Sequence, residues 1–208
     1  MLLWILNSLS PQEIRDQIMD PNSDFQKKMV EYLESVHVGE FMTETMDEVK
    51  EQVDENMKVK EYKDPTQTLP DAPPQSTDYD CNKCESCENA ANWWQNFRNT
   101  VDDLILRSNV HKCCINKYGN CKARFPRQTF EKTEVDPKTG ALNIKKGERW
   151  INTLTPIVTF LLRCNSDVTS LLSGTAIKAI VAYISDYVTK PGLKTYTIFD
   201  TIKSVFDK

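Results

Sequence analysis

Cys81, Cys84 and Cys87 stand at two-residue gaps, and His111, Cys113, Cys114 and Cys121 follow over the next 34 positions. Two-residue gaps let neighbouring thiolates hold one tetrahedral Zn²⁺, and a second pair from a distant turn completes four ligands. The chain has seven cysteines in all. An odd number without a secretory signal favours thiols or metal ligands over disulfides. The opening MLLWIL is too short for such a signal and has no basic residue before it. Residues 81–121 are therefore expected to bind one zinc ion, with reduced, metal-free thiols as the alternative. Which of Cys81, Cys84 and Cys87 take part stays open. Between the two groups, Trp93, Trp94, Phe97, Val101, Leu104 and Ile105 recur at helical spacing. That helix is expected to form the core of the small module, because little else there is apolar.

A second constraint lies near the other end. Residues 173–190 read as a helix, with Ser173 or Thr175 as cap and Pro191-Gly192 as the stop. Ile177, Ile180, Val181, Ile184 and Val188 form one narrow apolar stripe. Tyr183 and Tyr187 sit together about 100° around from it, with Asp186 and Lys190 just beyond. Two phenols one turn apart beside a lysine can act on a phosphodiester. The same spacing suits boundary tyrosines with a buried ring and a wet hydroxyl.

The remaining chain alternates short elements and breaks. Met1–Leu6 fits a buried strand. Ser10-Pro11-Gln12-Glu13 supplies a serine cap, a first-turn proline and a glutamate three residues after the cap, opening a helix to about Met19. A second helix from about Asp24 is expected to bury Phe25, Met29, Tyr32 and Leu33. His37 stands alone and reads as structural or exposed. Met46, Val49, Val53 and Met57 mark a third, heavily charged helix, expected to dock peripherally. Residues 63–80, with four prolines and no periodicity, read as a linker. Lys132–Val135, a turn at Asp136–Gly140 and Ala141–Ile144 read as a hairpin. Thr155-Pro156 opens a short helix to about Arg163, and Val168–Leu172 can be a strand. A last helix starts after Tyr196. The resulting division is 1–62, the linker 63–80, a Cys/His module 81–125, and a basic region 126–208.

The net charge of −4 hides an asymmetry. Residues 1–107 hold 10 Lys+Arg against 22 Asp+Glu, and residues 108–208 hold 16 against 8. The second half is the candidate for a phosphate backbone, with Arg124, Arg127, Lys145, Lys146 and Arg149 as contacts. Trp150 can stack on an unpaired base or pack in a core. Solvated helix faces alone also produce such charge blocks. No run of eighteen apolar residues offers a membrane span.

The run from Trp150 to Lys190, WINTLTPIVTFLLRCNSDVTSLLSGTAIKAIVAYISDYVTK, resembles the end of the Rep (HUH endonuclease) domain of Helitron rolling-circle transposases, the fungal Helitron helicase-like N-terminal domain. YISDYVTK has the form of that family's last Rep motif, two tyrosines three residues apart followed by a lysine. SNVHKCCINKYGNCKARFPRQTF and MLLWI carry the resemblance across most of the chain. It implies an α+β fold, an incomplete antiparallel-sheet Rep (HUH-type) domain with several helices and a small Cys/His zinc-binding insertion. It implies single-stranded DNA as substrate, an intracellular, nuclear location, and the remaining parts of the transposase as partners. No membrane or small-molecule partner is expected. Tyr183 and Tyr187 become the nucleophiles and Lys190 their assistant. His111, Cys113 and Cys121 ahead of Arg-Phe-Pro match the family's cysteine-histidine segment.

The family nicks DNA by attack of a tyrosine on phosphorus, keeping the 5′-phosphate and leaving a 3′-hydroxyl. Mg²⁺ or Mn²⁺, held by a His-hydrophobic-His pair, polarises the scissile phosphate there. The two histidines of this sequence are 74 positions apart, so that pair does not occur. Nor does a phosphate-binding GxxxxGK[ST] loop. The expectation is a truncated Rep fragment that nicks poorly and hydrolyses no ATP. The alternative is a zinc-dependent DNA- or protein-binding module without catalysis, in which the tyrosines merely pack.

Overall fold

The computed structural model describes residues 6–74, 85–113, 115, 117–121, 123–169 and 174–189, with side chains for all of these but 85–87, 174–176 and 187. Along that chain run α1 (Pro11–Met19), α2 (Phe25–Val36), α3 (Met46–Asn56), a 3-10 turn (Pro65–Gln67), α4 (Glu85–Ser108), β1 (Glu134–Val135), β2 (Leu142–Asn143), α5 (Pro156–Leu162) and α6 (Gly174–Thr189). The arrangement is mixed α+β, helices with one small antiparallel sheet. It divides into two units. One is Gln17–Ser170; the other draws on both ends, Met1–Asp16 and Leu171–Lys208. Among the described residues no helix is long and apolar enough to cross a membrane.

Local chemistry sets the helix starts. Ser10 Oγ accepts from the Glu13 amide at 3.3 Å, and the Glu13 carboxylate accepts from the Ser10 amide at 2.7 Å. The expected capping box is therefore formed. Thr45 and Glu48 build the same reciprocal pair at the start of α3. In the hairpin, Glu134 faces Asn143 and Val135 faces Leu142. The Asp136 carboxylate takes the amides of Lys138 and Thr139, both at 2.8 Å, and Gly140 turns the chain at φ 69°. The strand expected over Val168–Leu172 is not formed at 168–169, and the rest of it lies outside the described residues.

The core of the larger unit is organised by α4. Phe97, Val101 and Ile105 pack with Val49 and Val53 of α3, Phe160 of α5, and Ile151 and Leu154. This overturns two expectations. α3 does not dock peripherally: Val49 and Val53 are fully part of the core, because its charges all project from the other faces and leave a narrow valine edge. A buried valine contributes about 1.5–3 kcal/mol. Nor is α4 the private core of a small cysteine module; its apolar face serves the whole unit. On α2, Phe25, Met29 and Leu33 are half-buried, whereas Tyr32 points to solvent.

Polar pins complete the frame. Buried Asp102 accepts from the amides of Met42 (2.7 Å) and Thr43 (2.9 Å) and from Thr43 Oγ1 (2.6 Å). Desolvation pushes its pKa up, while these donors hold it partly down. Val38 and Leu154 bridge antiparallel across the unit. Beside them Gly39 runs so close to Lys145–Lys146 that a Cβ would meet the Lys145 carbonyl and Lys146 Cα at 2.8 Å. His37 Nδ1 lies 3.0 Å from Thr155 Oγ1, and its burial lowers its pKa, so it is structural.

The first part of the expected linker is held in place. Arg107 bonds Asp103 (2.5 Å), Asp64 (3.0 Å) and the Tyr62 hydroxyl (2.7 Å), and that hydroxyl donates to Asp103. Burial and the Asp103 carboxylate push the Tyr62 phenol up to about 12. The run from residue 62 is thereby clamped to α4; residues 75–80 lie outside the described ones.

Candidate metal centre

Where α4 ends at Ser108, the chain leaves the core through Asn109, whose amide donates to the Ile105 carbonyl at 2.9 Å. His111 follows at once. Its backbone amide donates to the Trp150 carbonyl at 2.8 Å, and its ring stacks on Phe125 with centroids 4.2 Å apart and planes 10° apart. A short excursion through Gly119, with Ile115 and Cys121 bridging antiparallel, then brings Cys121 back to His111. His111 Nε2 lies 3.1 Å from Cys121 Sγ. The ligand atoms of His111, Cys113 and Cys121 all fall within 4.8 Å of one another.

That donor set suits zinc. Bonds of about 2.0–2.3 Å in a tetrahedron place ligand atoms about 3.5 Å apart, and the three here all lie within 4.8 Å of one another. The electrostatics suit it too. Cys113 beside it, the amides of Phe125 and Ala123, and His111 outweigh desolvation and lower the Cys121 thiol to about 6. A thiolate is the form that binds metal, so this sulfur is ready at neutral pH.

The expected ligands divide in two. α4 carries Cys87 in its first turn, whereas His111 lies three residues beyond its last. At 1.5 Å per residue, the Cys87 backbone stands about 30 Å from the helix end. Cys81, Cys84 and the Cys87 side chain lie outside the described residues. Cys114, adjacent to Cys113, lies outside the described residues.

Phe125 escaped the sequence reading. Its signal was the Arg-Phe-Pro run itself: an aromatic two residues before Arg127, whose guanidinium lies 4.7 Å from the Phe125 ring centre. Arg124 and Arg149 are exposed, as is Arg127. Lys145 is ion-paired with Glu40 at 2.9 Å. Lys146 is a correction: it is 7% exposed, and its Nζ donates to the Ile151 carbonyl. Trp150 is half-buried.

In the smaller unit, α6 forms a continuous helix over the tyrosine motif. Tyr183 is exposed, at 64%. Tyr187 lies on the same helix one turn later, its side chain outside the described set, as is Lys190. The apolar stripe is exposed from Ile180 onward. Comparison with protein-family models, curated proteins and solved structures finds no match.

Proposed function

We propose that this chain carries the zinc segment and the two-tyrosine helix of a Rep-type (HUH-type) nicking and strand-transfer domain, as in Helitron DNA transposases, with single-stranded DNA as substrate. The supporting observation is that the spaced motif His111, Cys113, Cys121 and Arg124-Phe125-Pro126 gathers into one unit, thiolate and imidazole converging while Phe125 stacks on the histidine. The motif behaves as a site rather than as scattered residues.

In this reading zinc is structural. Tyr183 or Tyr187 attacks phosphorus, the bond to the 3′-oxygen breaks, and the 5′-phosphate stays on the phenol. The other tyrosine accepts the displaced strand. Lys190 neutralises phosphate charge. The residues present do not fit the family's Mg²⁺ or Mn²⁺ ion: His37 and His111 form no His-x-His pair, and His37 is bonded to Thr155. The chain by itself is therefore expected to form no DNA adduct with Mg²⁺ or Mn²⁺.

Fused behind strands bearing a His-x-His pair, it is expected to form one, visible as a DNA-linked band on a denaturing gel. Changing both Tyr183 and Tyr187 to Phe should abolish the band. An adduct that survives the double change places the nucleophile elsewhere. If the fusion binds zinc yet never forms an adduct, the zinc-dependent binding module without catalysis is the better reading, since the His111 cluster needs neither tyrosine.

A further inference from the structure

Between α4 and α5 lies an apolar cleft of about 500 Å³. Trp93, Trp94 and Phe97 form one wall, Ile157, Phe160 and Leu161 the other, and the chain's own Pro70–Pro73 run closes one side. The rings are mutually braced: Trp93 lies 5.6 Å from Phe97 and 5.8 Å from Phe160. Two donors reach into the proline-containing run. Trp93 Nε1 donates to the Asp71 carbonyl at 3.2 Å, and Arg163 Nη2 to the Leu69 carbonyl at 3.2 Å.

Arg163 is itself specialised. It ends α5 in the left-handed region at φ 53°, a conformation unusual for a side-chain-bearing residue. Its guanidinium lies 4.5 Å from the Phe160 ring centre. Its Nε–H is buried with no acceptor among the described residues.

Proline-rich chains favour an extended helix with no internal hydrogen bonds, so every carbonyl is offered outward. Aromatic plates that pack the pyrrolidine rings, combined with side-chain N–H donors aimed at those carbonyls, are the chemistry that recognises them. Leu69-Pro70-Asp71-Ala72-Pro73-Pro74 meets such a surface along one edge only. Trp94, Ile157 and Leu161 on the outer part of the cleft remain about half exposed, at 49%, 56% and 55%. A nucleic acid suits the cleft poorly. Asp71 lies on its rim, and the part of the chain that supplies the tryptophans carries 22 acidic residues against 10 basic ones.

We propose that this cleft is a recognition groove for extended proline-rich polypeptide, lined along one edge by the chain's own Leu69–Pro74 segment and open to a proline-rich segment of a second protein.

The test uses the whole chain and a fluorescein-labelled Leu-Pro-Asp-Ala-Pro-Pro peptide read by fluorescence polarisation. Saturable binding is expected, at least about tenfold weaker when the peptide's prolines are replaced by alanine. Trp93→Phe keeps a ring but removes the bond to the chain's own Asp71 carbonyl, and should loosen that segment and tighten peptide binding. Trp94→Ala spares both bonds to the chain's own segment and should weaken peptide binding about three- to tenfold. Pro70→Ala with Pro73→Ala should loosen that segment and tighten peptide binding several-fold. The proposal is overturned if neither the parent chain nor this loosened chain binds the peptide, or if the alanine peptide binds equally. Displacement by an unlabelled oligo-dT would also overturn it, making the cleft a base-stacking surface.

Discussion

Lys145 and Lys146 are adjacent and chemically identical, yet one makes a surface ion pair and the other is buried. Successive residues of an extended segment point to opposite faces, so a pair of lysines there always splits. Charge alone makes both candidates for DNA contact; the alternation leaves only Lys145 on the surface. Burial and the neighbouring Arg127 lower the Lys146 ammonium from 10.5 to about 8, with Asp167 and Glu148 opposing. The folded chain thus releases this proton at lower pH than the unfolded chain. Between about pH 8 and 10.5 the unfolded state holds the extra proton, and stability rises with pH through that window; at pH 7 both states are protonated and the folded one carries the cost. The gain is on the order of 2 kcal/mol. Urea unfolding at pH 7.5 and 9.5 should show the parent chain gaining on Lys146→Met between the two. An equal change in both proteins would assign the alkaline effect to other groups.

At the scale of elements, α4 sets the geometry by its length. Its 24 residues set the Cys87 backbone about 30 Å from the helix end that leads to His111. A chain with Cys81, Cys84 and Cys87 all changed to Ser should keep one zinc by elemental analysis, and adding Cys121→Ser should remove it. Loss of zinc in the triple variant would mean that the two ends meet after all. Much of this layer was legible beforehand. The capping box at Ser10, the Thr155-Pro156 start and the Asp136–Gly140 turn act within four or five residues, and local pattern records them; the Thr45–Glu48 box is as local but emerged only in the structure. What pattern did not carry was which stripe meets which. The Val49–Val53 edge looked too thin for a core until the broad aromatic-aliphatic face of α4 lay against it. The proline run looked like a linker because the Tyr62–Asp103–Arg107–Asp64 clamp joins residues 41 to 45 positions apart. The metal centre was legible in part: His111, Cys113 and Cys121 were named as ligands and stand together, whereas Cys81, Cys84 and the Cys87 side chain lie outside the described residues.

For the whole molecule, charge is the dominant long-range quantity. With Lys146 buried and Lys145 paired, Arg124, Arg127 and Arg149 remain of the five proposed contacts. Three phosphate contacts to single-stranded DNA give a slope of about −2 in log affinity against log salt. Arg149→Gln should flatten that slope by about 0.7, and Lys146→Met should leave it unchanged. A salt-independent affinity would refute the electrostatic account. The antiparallel bridge between Val38 and Leu154 has a different consequence, one concerning time during synthesis. Ile105 leaves the ribosome 46 residues before Ile151, and Phe160 later still. At about 5–20 residues per second, the apolar face of α4 waits at least about 2–9 s for its lid. During that interval the nascent chain offers Phe97, Val101 and Ile105 to any chaperone or neighbouring polypeptide. Release from the ribosome before residue 160 should therefore yield an aggregating or chaperone-held chain rather than a folded half.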